Sequence, residues 1–233
     1  MTQSRGAPPC LRWAFWLVAI GAAWGQAPPT RTKCLSQDVT SQDVTSIDAV
    51  SAASQEVRAT SFPELSNVNL EIHTFHSQAD YFRTRFSLPR FFFLQRMRYF
   101  VEVNPALYNQ GAPADGVCSV LAHELAHVVA LQHGNRIRRL GLVRLLSGSF
   151  TARFERKTDL EAIRRGYGDG LKSYRSWVYA HIPPRSLAAK RRNYFSPKEI
   201  EKIQGRLREQ PDLFGYWSRH VPLSLAEVLR DRQ

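Results

Sequence analysis

Residues 119–134 read SVLAHELAHVVALQHG, an apolar run interrupted by His123, Glu124, His127 and His133. Polar groups in a segment built for burial are costly unless something compensates them. His123-Glu124-Leu125-Ala126-His127 follows the H-E-x-x-H pattern. On an α-helix four residues turn the direction by roughly 400°, so both imidazoles leave the same side, one turn apart, and can grip one cation. Zinc suits such a pair because it accepts imidazole nitrogen and, in catalytic sites, takes three protein ligands while keeping a position for water. Glu124, beside the first histidine, is placed to take a proton from that water as general base. The chemistry these residues predict is metal-assisted hydrolysis. The rival is a chance pattern, with both histidines hydrogen-bonded in a core.

A third ligand has two sources. His133 lies six residues past His127, the spacing of the third histidine in metzincin peptidases, but the metzincin glycine is Ala130 here and the only methionines are Met1 and Met97. If the helix continues to His133, that ring points about 240° away from His127, so it is read as a helix-end residue favoured by the dipole. The second source is Glu155, with Asp159 four residues on and Asp159 or Glu161 as substitutes for it. Taken alone, ERKTDLEAIRR also reads as a solvated helix face with pairs such as Glu161 and Arg165.

H-E-x-x-H followed on a later helix by E-x-x-x-D resembles the gluzincin family of zinc metallopeptidases, over residues 119 to 160 only. The resemblance implies His123, His127 and Glu155 as zinc ligands, Glu124 as general base and Asp159 as the carboxylate that orients a ligand histidine. It also implies a zincin-like fold that hydrolyses peptide bonds in a peptide or protein through a zinc-activated water, with a non-peptide amide, such as a cell-wall or acyl amide, left open. A second donor must stabilise the oxyanion, and Tyr167, Tyr174, Tyr179 and His181 are candidates.

These side chains need elements to hold them. NVNLEIHTF (67–75) and MRYFVEVNP (97–105) alternate as strands, whereas ADYFRTRFSLPRFFFL between them is aromatic and basic with no clear period. Asp115 is the expected N-cap of a metal-binding helix over about 116–132, ended by Gly134. Further helices are expected over RIRRLGLVRLL (136–146), over 150–166 closed by Gly166, and over 170–182 before Pro183-Pro184. Ser196-Pro197-Lys198-Glu199 reads as a capping box, and Ser224 with Glu227 repeats the device. The fold class expected is α+β, mainly helical, with a small antiparallel sheet preceding the metal-binding helix. The resemblance to gluzincins further implies that the strand RYFVEVN is the sheet edge, where an extended peptide could add.

The ends and the composition set the setting. Residues 1–25 carry Arg5 and Arg12 ahead of an apolar run from Trp13 to Trp24, a signal-peptide pattern that predicts export to a periplasm or outside the cell. An uncleaved anchor is the alternative, but the run is shorter than the roughly 20 residues a span needs, and no later spanning segment is expected. Residues 26–66, with SQDVT twice in tandem, read as a flexible leader or a propeptide, and 67–233 as the catalytic domain. Cys34 and Cys118 remain after signal removal, and a disulfide, a Cys34 thiolate capping zinc and two free thiols are all open. The net charge of +12 implies attraction to anionic surfaces. A second functional class is therefore a basic exported binding module for anionic polymers, using Arg136, Arg138, Arg139, Arg144, Arg153 and Arg156 and carrying a structural or inactive metal site. No nucleic-acid partner is expected, because no nucleic-acid fold signature is present.

Overall fold

The computed structural model describes residues 46–93, 95–133 and 148–230, with the side chains of 148 and 149 excepted. The segment expected to be a signal peptide, the expected leader up to residue 45, Cys10, Cys34, Gly134 and the helix expected over 136–146 with its four arginines lie outside the described residues. The chain is an α+β assembly, mostly helical, around one small sheet.

The first helix, α1 (Ile47–Ser61), begins where Ser46 accepts the Ala49 backbone N–H. It lies inside the stretch expected to be flexible. Val50, Ala53, Ser54 and Val57 recur at helical spacing and are buried, so this segment contributes a wall of the core rather than a tether. Small side chains hide such a stripe within a polar composition.

Strands β1 (Asn69–Thr74) and β2 (Phe82–Phe86), the short helix α2 (Leu88–Phe92) and strand β3 (Arg98–Val103) follow. Both periodic segments are strands as expected, and the unperiodic stretch supplies β2 and α2. The sheet order is β1-β3-β2, with β1 parallel and β2 antiparallel to β3, so the sheet is mixed and not antiparallel. Alternation reports which face a side chain takes and not strand direction; the β2–α2 segment acts as the crossover that a parallel β1–β3 pair requires. RYFVEV is consequently the central strand, and β2 is the edge next to the later helices. Phe82, Tyr99, Val101 and Val103 face the core. Arg83 pairs with Glu102, and Arg98 lies 3.2 Å from Glu71, on the other face.

After α3 (Ala106–Asn109) comes α4 (Ala114–His133), which carries the H-E-x-x-H residues. Asp115 sits inside its first turn instead of capping it, and the first helical bond runs from the Val117 N–H to the Pro113 carbonyl. Every residue from Gly116 to Val128 is buried. By length and apolarity α4 would pass as a membrane-crossing helix, contrary to expectation. Its apolar surface is instead consumed by α1, β2 and the two helices that follow.

Those are α5 (Gly148–Ala162), which runs through a π turn (Ile163–Tyr167), and α6 (Gly168–His181). Gly166, at φ 92°, makes the break that L side chains resist. Helix α6 crosses α4 closely at Gly170, where an added Cβ would lie 2.2 Å from both the Asp115 carbonyl oxygen and Ser119 Oγ. Gly170→Ala is therefore expected to cost about 1–3 kcal/mol or more by overpacking, read as a lowered melting midpoint; an unchanged midpoint would mean that the crossing yields freely.

Helices α7 (Pro184–Asn193), α8 (Pro197–Glu209), α9 (Leu213–Trp217) and α10 (Leu225–Leu229) complete the chain. The capping box at Ser196 and Glu199 forms as expected. Glu199 also accepts from Arg156 of α5 at 2.8 Å, and Arg156 donates to the Arg191, Arg192 and Pro222 carbonyls. Buried and fully engaged, Arg156 is no part of a polyanion surface; Arg153 is exposed.

Candidate metal centre

Helix α4 brings His123 and His127 to one side, and α5 sets Glu155 opposite them. The two Nε2 atoms are 3.0 Å apart, and Glu155 Oε2 lies 3.2 Å from the first and 3.1 Å from the second. Tetrahedral zinc with bonds near 2.0–2.1 Å spaces its donors by roughly 3.3 Å. The donor set therefore suits one such ion.

Asp159, one turn along α5 from Glu155, is fully buried, and its Oδ1 lies 2.8 Å from His123 Nδ1. That carboxylate favours a proton on His123 Nδ1. A proton on Nδ1 leaves Nε2 with its lone pair facing the other donors, which is the tautomer a metal ligand needs. Asp159 also accepts from Arg175 Nη2 at 2.8 Å and from the Phe195 N–H at 3.0 Å.

Electrostatics follow the same arrangement. Burial works against a charged His123 ring, but Asp159, Glu155 and Glu124 outweigh it and lift its pKa to about 9. Burial likewise raises the Glu155 carboxyl, yet His127 and His123 hold it well below the usual range. Without metal, a proton must sit among these acceptors; a bound cation takes over that role. His127 is braced differently, against the Phe154 ring at 4.8 Å, and its Nδ1 has no hydrogen-bond partner among the described residues.

Glu124 points its carboxylate toward the sheet. Thr84 of β2 donates to Glu124 Oε2 at 2.7 Å and also lies 3.2 Å from the Glu124 carbonyl oxygen. A narrow recess of about 20 Å³, room for about one water, is lined by His123, Glu124, Tyr174, Arg175, Lys190 and Tyr194, among others. Burial pushes the Tyr174 and Tyr194 phenols upward, with Glu124 adding to both shifts and Glu155 adding to that of Tyr194. Both remain neutral hydrogen-bond donors near pH 7.

The structure thus brings His123, Glu124, His127, Glu155 and Asp159 together. It leaves Glu161 outside, bound to Arg164 and Arg165. His133 is exposed at the helix end with its Nδ1 2.9 Å from the Val129 carbonyl oxygen. Of the proposed oxyanion donors only Tyr174 lines the recess. Tyr167 bonds Ser61, Tyr179 carries Arg191 over its ring, and exposed His181 sits against the Trp177 carbonyl. Thr84, Arg175, Lys190 and Tyr194 have no sequence motif around them; Thr84 stands between Arg83 and Arg85 in FRTRF, where nothing sets a hydroxyl apart. Cys118 is disulfide-bonded, and both other cysteines lie outside the described residues. Comparisons with known protein families, with curated proteins and with solved structures find no match.

Proposed function

We propose that the chain is an exported zinc-dependent metallopeptidase of the gluzincin type, with a zincin-like fold, acting on peptide or protein substrates. The convergence of two imidazole nitrogens and one carboxylate oxygen at 3.0–3.2 Å, beside a recess that holds a second carboxylate, carries this reading. Zinc held by His123, His127 and Glu155 would supply a Lewis acid that makes a water ligand acidic near neutral pH.

The chain's own groups do the rest. Glu124 takes the proton of the attacking water and returns it to the leaving amine, and Thr84 fixes the carboxylate for that exchange. Asp159 keeps the His123 ring in orientation. Tyr174 or Tyr194, neutral at working pH, donates to the developing oxyanion. Because β2 is the sheet edge and its Thr84 meets Glu124, an extended substrate adding to β2 would run past the recess; this replaces RYFVEV as the substrate-side strand.

Metal analysis tests the reading. Wild type is expected to hold one zinc and to lose peptide hydrolysis on chelation, whereas His123→Ala and Glu155→Ala hold far less than one while remaining folded by circular dichroism. Stoichiometric zinc in Glu155→Ala would remove that carboxylate from the ligand set, and chelator-resistant hydrolysis would overturn the mechanism.

A further inference from the structure

The turn between β2 and β3 presents a surface that the site does not use. In SLPRFFFLQRM (87–97), Phe91 is buried and packs its ring 5.8 Å from that of Phe86, which anchors the tip to the sheet. Around that anchor Leu88, Phe92 and Phe93 are 48%, 64% and 75% exposed. Two adjacent phenylalanines at a strand turn, exposed among the described residues, form an apolar cluster.

Three arginines lie close to the cluster along the chain. Arg85 is well exposed and lies only 3.7 Å from Glu102, which Arg83 already engages. Arg90 donates to the Arg96 carbonyl and Arg96 to the Asn67 carbonyl, and among the described residues neither is paired with a carboxylate. Aromatic and leucyl side chains flanked by guanidinium groups match the layered chemistry of a bilayer surface, with apolar groups at the acyl boundary and cations among the phosphates. A groove-seeking partner needs a concave platform, whereas these side chains stand out at a turn.

We propose that the tip formed by residues 88–93, with Arg85 and Arg96 beside it, docks the protein on an anionic phospholipid surface, with Leu88, Phe92 and Phe93 entering the interface and Arg85, Arg90 and Arg96 engaging lipid phosphates. Docking here would bring the membrane to the end of β2, the strand whose Thr84 meets Glu124.

The full chain is mixed with vesicles of phosphatidylcholine and phosphatidylglycerol, or of phosphatidylcholine alone, and sedimented. Binding to the mixed vesicles is expected to exceed that to the neutral ones by about tenfold or more and to weaken with salt. Phe92→Ser/Phe93→Ser, whose changes lie on exposed positions, should keep the wild-type circular dichroism and lose about tenfold in binding. In Phe93→Trp, the emission added to that of the chain's own tryptophans should shift to the blue on the mixed vesicles and be quenched by acyl-brominated lipid. Wild-type binding by the double serine variant overturns the proposal, as does a Phe93→Trp emission that vesicles leave unchanged. A wild-type dimer that the serine variant dissolves would assign the patch to a second copy and likewise overturn it.

Discussion

On the proposed mechanism, Glu124→Gln is expected to leave zinc bound and the fold intact, yet to lower kcat/KM by about 10²–10⁴-fold. Glutamine matches glutamate in shape, and the Thr84 hydroxyl that donates to Glu124 Oε2 at 2.7 Å can still donate to an amide oxygen. An amide cannot take a proton from water near neutral pH, so the loss falls on proton transfer and not on assembly. The measurement combines peptide hydrolysis, zinc content and a thermal melt on one preparation. Activity close to wild type would remove Glu124 from the reaction. Lost zinc would show instead that the substitution disturbs the ligands.

Asp159→Asn is expected to act on two properties at once. It lowers zinc affinity by about 10–100-fold, because the His123 ring loses the carboxylate that orients it. It also destabilises the fold by about 3–5 kcal/mol, because Arg175, itself buried, loses its charge partner. Burial alone would raise the Asp159 carboxyl, but Arg175, His123 and the Phe195 N–H hold it below the usual value. A depressed folded-state pKa contributes stability that is present above the unfolded value and lost as pH falls through the folded one. Asp159→Asn should therefore flatten the acid limb of the stability profile while lowering its neutral plateau. Replacing Arg175 by Met in the same chain should restore much of the stability and none of the zinc affinity, as read by urea titration and competitive zinc binding. If both properties recovered together, the two roles of Asp159 would not be separable.

The parts of this site that could be read from the sequence are those made within one helix. His123 and His127 share a face by helical geometry alone, and Glu155 and Asp159 do so on the second helix. The same holds for the box at Ser196 and Glu199, whose three-residue reach is local. What required the fold was every partner that arrives from elsewhere in the chain. Thr84 lies 40 residues before Glu124 on a strand with no clean alternation, and Arg175 and Tyr194 reach the site from α6 and the end of α7. Strand direction was hidden for a similar reason. β3 inserts between β1 and β2, and alternating side chains look the same in either direction. α1 escaped notice because its buried stripe is mainly valine and alanine among serines and a glutamine.

That first helix also bears on where the polypeptide could be cut without loss of packing. Val50, Ala53 and Val57 are at most 1% exposed, and α1 packs on both α4 and β1. A processing protease that trimmed the precursor at residue 66 would strip one side from the helix that carries both histidines. A cut ahead of Ser46, whose side chain starts α1, would leave that packing whole.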